Sequence, residues 1–190
     1  MRPWAMPDDA RSLEPSRSWR LRCSELDRRC VQRCNRVLLR RGMPLLLGAV
    51  SRLGDGWLWY GLIAVLPLVA GPRGWQCARL MLLAGVIDLA LYWILKRGTA
   101  RERPHFACPD LRLCTPSLDR YSFPSGHTLH AVAFTTIVLA HFPYAALALV
   151  PFTLLTAYAR VALGLHYPSD ILVGASIGGA VAWALLDIAL

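Results

Sequence analysis

Leu80-Met81-Leu82-Leu83-Ala84-Gly85-Val86-Ile87-Asp88-Leu89-Ala90-Leu91-Tyr92-Trp93-Ile94-Leu95 is apolar throughout except at Asp88, and it stops at Lys96. Extended back to Gln76 and wound as a helix, the run is long enough to cross about 30 Å of hydrocarbon. Tyr92 and Trp93 then fall where aromatic rings favour the head-group layer. Working outward, comparable apolar runs occupy Trp57 to Ala70, Thr128 to Phe142, Tyr144 to Val161 and Ile171 to Leu190. Gly71-Pro72-Arg73-Gly74 reads as the turn between the first run and the quoted one. Met43 to Leu53 is apolar but short, and it ends in the polar turn Ser51-Arg52-Leu53-Gly54-Asp55-Gly56, so it reads either as a short first span or as an interfacial segment. The pattern predicts an all-α, polytopic transmembrane helix bundle of five or six spans. Gly174, Gly178 and Gly179 in the last run suit close helix packing.

Composition agrees with a membrane chain and excludes an ordinary soluble globule: 55% of the 190 residues are hydrophobic and only 17% charged, with mean hydropathy +0.40. The net charge of +9 is segregated, because 11 arginines lie between Arg2 and Arg41 against the acids Asp8, Asp9, Glu14, Glu25 and Asp27. Residues 1–42 are therefore read as an Arg-rich tail, polar to about Ser18, and a basic amphipathic helix from Trp19 to Arg41 lying on a membrane surface. Residues 43–190 form the membrane-embedded domain. A nucleic-acid partner is not expected, since no basic stripe interleaved with aromatics accompanies the arginines. No cleavable signal peptide is expected. Cys23, Cys30 and Cys34 lack the further ligands of a zinc pattern and read as unremarkable thiols. Asp88, at membrane depth, reads as functional or as paired with a group on a neighbouring helix, the paired reading being preferred.

Two spans separate the polar segment Lys96 to His127 from the polar cluster Arg160 to Asp170, so both lie on one membrane face. Three groups of residues converge there. Lys96 and Arg103-Pro104 supply cations, which share a side if the helix ending near Leu95 continues for another turn or two. Pro124-Ser125-Gly126-His127 places a hydroxyl, an amide and an imidazole at a helix start, where the dipole and free N–H groups attract anions. Arg160 is followed by His166 and Asp170, and a carboxylate four residues beyond a histidine can accept an imidazole N–H and choose which ring nitrogen stays free. Each group also has a plain structural reading. Lys96, Arg97, Arg101 and Arg103 can be head-group contacts, and His166 with Asp170 a pair at a helix start. All of these plain readings must hold at once, and so many polar groups at the mouth of an apolar bundle are costly unless paired or used. His105, His130 and His141 are given no role.

In these three motifs, from about Ser51 to the C-terminus, the chain resembles the type 2 phosphatidic acid phosphatase superfamily. One departure is Ala159, where the family commonly carries a serine before the third-motif arginine. The resemblance implies a membrane lipid phosphatase with His166 as nucleophile forming a phosphohistidine, His127 as the general acid, and Asp170 orienting His166. It further implies a phosphate cradle of Lys96, Arg103, Ser125, Gly126 and Arg160, with no metal and no cofactor. The implied substrates are lipid phosphates or pyrophosphates, such as polyprenyl pyrophosphate or a glycerophospholipid phosphate. Two other classes stay open: a vanadate-holding site like that of the related vanadium haloperoxidases, and a non-catalytic membrane protein that binds lipid phosphate. The expected location is the cell inner membrane, with six spans placing the mouth on the periplasmic side. Five spans would place the mouth beside the arginines, which the positive-inside rule puts in the cytoplasm. A disulfide between Cys108 and Cys114 would favour the periplasm, and free thiols are the alternative.

Overall fold

The computed structural model describes residues 15–115 and 119–189, with side chains from residue 24 onward. The polar tail before residue 15 and the side chain of Cys23 lie outside the described residues. Helix α1 spans Pro15–Asn35. A 3-10 turn, Arg36–Leu39, and Gly42, with φ 86°, lead into α2, Met43–Arg52, whose second residue is a proline free of any donor requirement at a helix start. After a break at Leu53–Trp57 come α3, Leu58–Thr99, the single turn α4, Pro104–Ala107, α5, Gly126–His141, α6, Ala146–Ala162, and α7, Pro168–Ala189. Among the described residues there is no strand, only an isolated bridge between Glu102 and Tyr121.

Helix α3 is two antiparallel halves. Gly71, between Pro67 and Pro72, has φ 56° and ψ −135°, which no helical residue adopts. A Cβ on Gly74 would stand 1.9 Å from the Leu66 carbonyl oxygen, so the two halves touch directly beyond the turn. The predicted Gly71–Gly74 turn is therefore where the chain reverses. By length and hydropathy, three stretches suffice to cross a membrane: Met43–Thr99, Pro143–Ala162 and Pro168–Ala189. The first of these contains the reversal. Helix α5 is shorter, but α7 packs along it more extensively than any other pair of elements does.

The glycines of α7 explain that packing. A Cβ at Gly178 would come 2.1 Å from the Leu129 carbonyl oxygen, and one at Gly174 2.7 Å from that of Ser125. Side chains there would hold the two helices apart. Gly179, by contrast, faces ordinary contact with Val132. The apolar core joins α3, α5, α6 and α7 around Trp59, Met81, Phe134, Ile137 and Leu149, with the Trp59 ring 5.5 Å from Phe134 and 6.0 Å from Phe152. A second cluster seats α2 on α6 through Leu47, Val50, Ala159 and Leu163.

Helix α1 lies against the end of the bundle that carries the polar loops. Its Val31 is fully buried with Val161 and Tyr167. Asn35 Nδ2 donates to the carbonyls of Arg112 (3.0 Å) and Ala162 (2.9 Å). Asp27 accepts from Arg101 at 2.7 Å and from Ser169. The preferred pairing of Asp88 is not found, and the alternative left open for Cys108 and Cys114 is decided for free thiols. Asp88 is fully buried, yet neither carboxylate oxygen finds a partner among the described residues. Cys108 and Cys114 are free thiols, the first buried and the second exposed, so no disulfide speaks for an oxidising face.

Candidate active site

Helix α3 runs on past Leu95 to Thr99 and ends at Ala100 in the left-handed region. Arg103 is therefore not carried by that helix; it precedes α4 in extended backbone. It reaches the same place as Lys96 nonetheless, because Asp119 in the following loop binds both, Lys96 through Oδ2 and the Arg103 guanidinium at 3.1 Å through Oδ1. Tyr92 also accepts from Lys96. Lys96 and Arg103 are both buried.

His166 sits in the turn between α6 and α7, where the amides of Leu165 and His166 both bond the Arg160 carbonyl and fold the chain back over the end of α6. Its Nδ1 lies 2.6 Å from the Ser122 carbonyl oxygen. A carbonyl only accepts, so Nδ1 carries the proton and Nε2 is left with its lone pair. That Nε2 faces the Arg103 guanidinium at 3.2 Å and the Arg160 guanidinium at 3.4 Å. Burial, then the positive charges of Arg160 and Arg103, push the imidazole well below its ordinary titration range, so the ring is neutral at physiological pH. Arg160 donates to Ser51 Oγ at 2.7 Å, while its Nε is buried without a partner and no carboxylate pairs with it among the described residues. A buried guanidinium in that state is a place for an incoming anion.

Asp170, expected to orient His166, makes no hydrogen bond to the imidazole. Its Oδ2 is 3.8 Å from His166 Nδ1, beyond a hydrogen bond. That oxygen accepts the Tyr167 amide at 2.8 Å, and Oδ1 accepts from Arg101 at 2.7 Å. The i, i+4 spacing is real, but the first turn of α7 turns the carboxylate onto the backbone next to His166. The ring is held by Ser122 instead. Sequence spacing could not show that contact, because the acceptor is a backbone carbonyl 44 positions away.

Ser125 precedes α5 in extended backbone, and its amide donates to the Asp170 carbonyl at 3.2 Å, tying the helix start to α7. Its hydroxyl is buried and shares a hydrogen bond with Thr128 at 3.1 Å, so it shapes the helix start. His127 Nε2 meets Asp55 Oδ1 at 3.2 Å, a contact that crosses from the break before α3. A cavity of about 580 Å³ opens between the halves of α3 and α5. Arg103, Gly126, His127, Arg160 and His166 line its polar end, and Trp59, Ile63, Met81, Val86, Leu89 and Phe134 line the rest. Lys96, Ser125 and Asp170 do not line it. His130 does, its Nδ1 bonded to the Gly126 carbonyl at 3.0 Å. His105 Nδ1 lies 3.1 Å from the Gly164 carbonyl, and His141 Nδ1 lies 2.9 Å from that of Ile137. The residues that sequence reading passed over, Asp55, Asp119 and Ser122, belong to none of the three motifs. Only the polar character of the turn around Asp55 was a signal.

An imidazole nitrogen facing two buried guanidiniums, at the polar end of an apolar cleft in a helical bundle, is an arrangement that favours an anion. The chain belongs to the PAP2 superfamily, whose family model matches residues 75–189. It is 30% identical over 154 residues to the decaprenylphosphoryl-5-phosphoribose phosphatase of Mycobacterium tuberculosis, a match covering 78% of this chain and 81% of that relative. Among solved structures it resembles LpxE of Aquifex aeolicus, with TM-score 0.69 and 26% identity over 78% of this chain and 87% of the other. The fold also matches the PAP2-type phosphatidylglycerolphosphate phosphatase of Bacillus subtilis, with TM-score 0.70 and 23% identity over 87% of this chain and 85% of the other.

Proposed function

We propose that this chain hydrolyses the phosphomonoester or pyrophosphate of a membrane lipid through a phosphohistidine on His166. The observation that carries the reading is the neutral, buried His166 whose Nε2 faces the guanidiniums of Arg103 and Arg160 at the cavity wall. In the reaction, the substrate phosphate displaces Asp119 from Arg103 and places its equatorial oxygens against Arg103, Arg160 and the Gly126 amide. Lys96, set behind the cavity wall beside Asp119, adds positive charge to the cradle. The Nε2 lone pair attacks phosphorus, the bond to the lipid oxygen breaks, and His127 gives that oxygen a proton. Water then attacks the phosphohistidine, the P–N bond breaks, and phosphate leaves. The guanidiniums and amide supply the charge stabilisation, so no metal is needed.

The apolar walls of the cavity suit an acyl or polyprenyl chain with its phosphate at the mouth. The candidate substrates are polyprenyl pyrophosphates, phosphorylated glycerophospholipids and, from the similarity to the mycobacterial phosphatase, polyprenyl-linked sugar phosphates. Detergent-purified protein is offered each of these with a chelator present, with His166→Ala as control. Phosphate release by the native chain, absent in His166→Ala, is the expected result. Binding without release would leave a binding protein, and undiminished release by His166→Ala would refute the nucleophile.

We also read five crossings rather than six: the two halves of α3, then α5, α6 and α7. Gly48 of α2 lies against Thr115 of the polar loop, Ser51 bonds Arg160, and Asp55 meets His127, so α2 stays at the level of the site. Helix α1 bonds the same loops. The arginine-rich helix and the mouth then share one face, while the opposite turns hold Arg73 and, at Phe142–Ala145, no charge. The positive-inside rule places that shared face in the cytoplasm, opposite to the periplasmic facing expected from six spans.

A further inference from the structure

Gly54-Asp55-Gly56 is the break between α2 and α3. Gly56 has φ 119°, a conformation L side chains rarely adopt, and a Cβ on Gly54 would stand 2.9 Å from Thr156 Cγ2. The two glycines let the backbone pass against α6 and turn above the start of α5. The residue delivered by that turn is Asp55, with Oδ1 3.2 Å from His127 Nε2. Gly54, Asp55, Gly56, His127 and His166 line the same cavity. His127 is held in it with only 11% of its side chain exposed, whereas the Asp55 side chain is 50% exposed.

We propose that Asp55 is the positioning residue of His127, holding the ring so that Nε2–H points at the carboxylate and Nδ1 serves the departing oxygen. The proposal rests on the phosphatase reading above. In the first step the protonated ring donates Nε2–H to Asp55. As the bond from phosphorus to His166 Nε2 forms and the bond to the lipid oxygen breaks, the Nδ1 proton passes to that oxygen, and the ring is left neutral with its remaining proton on Nε2. In the second step the Nδ1 lone pair takes a proton from the attacking water. The P–N electron pair returns to His166, phosphate leaves, and His127 is again protonated on both nitrogens. A carboxylate on one imidazole nitrogen fixes the tautomer that both steps require. The break before α3 thus reaches the chemistry through a residue outside the three motifs.

The test is the dependence on leaving group in Asp55→Asn, read in single turnovers of detergent-purified protein. On a lipid alkyl phosphate, whose oxygen must be protonated to depart, the variant is expected to lose at least about tenfold in rate. On p-nitrophenyl phosphate, whose oxygen leaves without a proton, its loss is expected to stay below about threefold, because the attack by His166 is intact. Asp55→Glu is expected to recover most of the lipid rate. Inhibition by orthovanadate, a probe of the phosphate cradle, is expected to be unchanged in both. A native lipid rate in Asp55→Asn, or an equal loss on both substrates, overturns the proposal. Failure of both Asp55→Asn and Asp55→Ser to fold does so too, by making Asp55 a structural residue. If the native chain releases phosphate from neither substrate, it is the phosphatase reading that fails.

Discussion

His166 shows what a side chain owes to its surroundings. Its neutral form is maintained by burial and by Arg160 and Arg103, and a nucleophile must be unprotonated at Nε2. Because the titration lies well below the ordinary 6.5, protonation would silence His166 in the proposed nucleophilic role only in more acid solution. The acid limb of kcat/KM on a lipid phosphate is therefore expected below pH 6.5, and a limb above that value would contradict the assignment. Asp119 titrates below its ordinary range as well: burial alone would raise it, but Lys96 and Arg103 together outweigh burial. Asp170 supports the site through Arg101 and the Tyr167 amide. Asp170→Asn is expected to lower kcat about tenfold with KM little changed, and circular dichroism is expected to show a native helix content. His166, Arg160 and Arg103 were legible as a constellation because the spacing of their motifs is dictated by the chemistry. Ser122 was not, because any residue type offers a carbonyl.

At the scale of elements, the placement of the site depends on how closely α7 approaches α5. Gly178→Val would drive a side chain into the Leu129 carbonyl, 2.1 Å from the first added atom. Overpacking of this kind costs about 1–3 kcal/mol or more, and a lower melting temperature in detergent is expected. Gly179→Ala, facing only ordinary contact, is the control expected to melt as the native chain does. The apolar runs foretold the helices to within a few residues, since length and hydropathy govern a span. The reversal inside α3 was legible too, from the turn sequence Gly71-Pro72-Arg73-Gly74. What the runs could not give was the latch from α1, in which Asp27 bonds Arg101 and Ser169 while Arg101 holds Asp170. Its partners come from three distant parts of the chain.

For the whole molecule, the number of crossings also sets the facing of the site. Cys30 and Cys114 are both exposed and both belong to the face that carries the site. With the mouth in the cytoplasm, neither is expected to react with a membrane-impermeant thiol reagent in intact cells, and both are expected to react once the membrane is permeabilised. Labelling of Cys114 in intact cells would restore the periplasmic assignment. Sequence by itself determined that this is a helical membrane protein with a phosphate-type site, because apolar length and motif spacing are properties of the chain read locally. Tertiary structure decided which groups hold the two histidines, where the carboxylates sit and at which end of the bundle helix α1 packs. Those depend on contacts between residues far apart in sequence, made by backbone carbonyls and single acidic side chains that leave no periodic or motif trace.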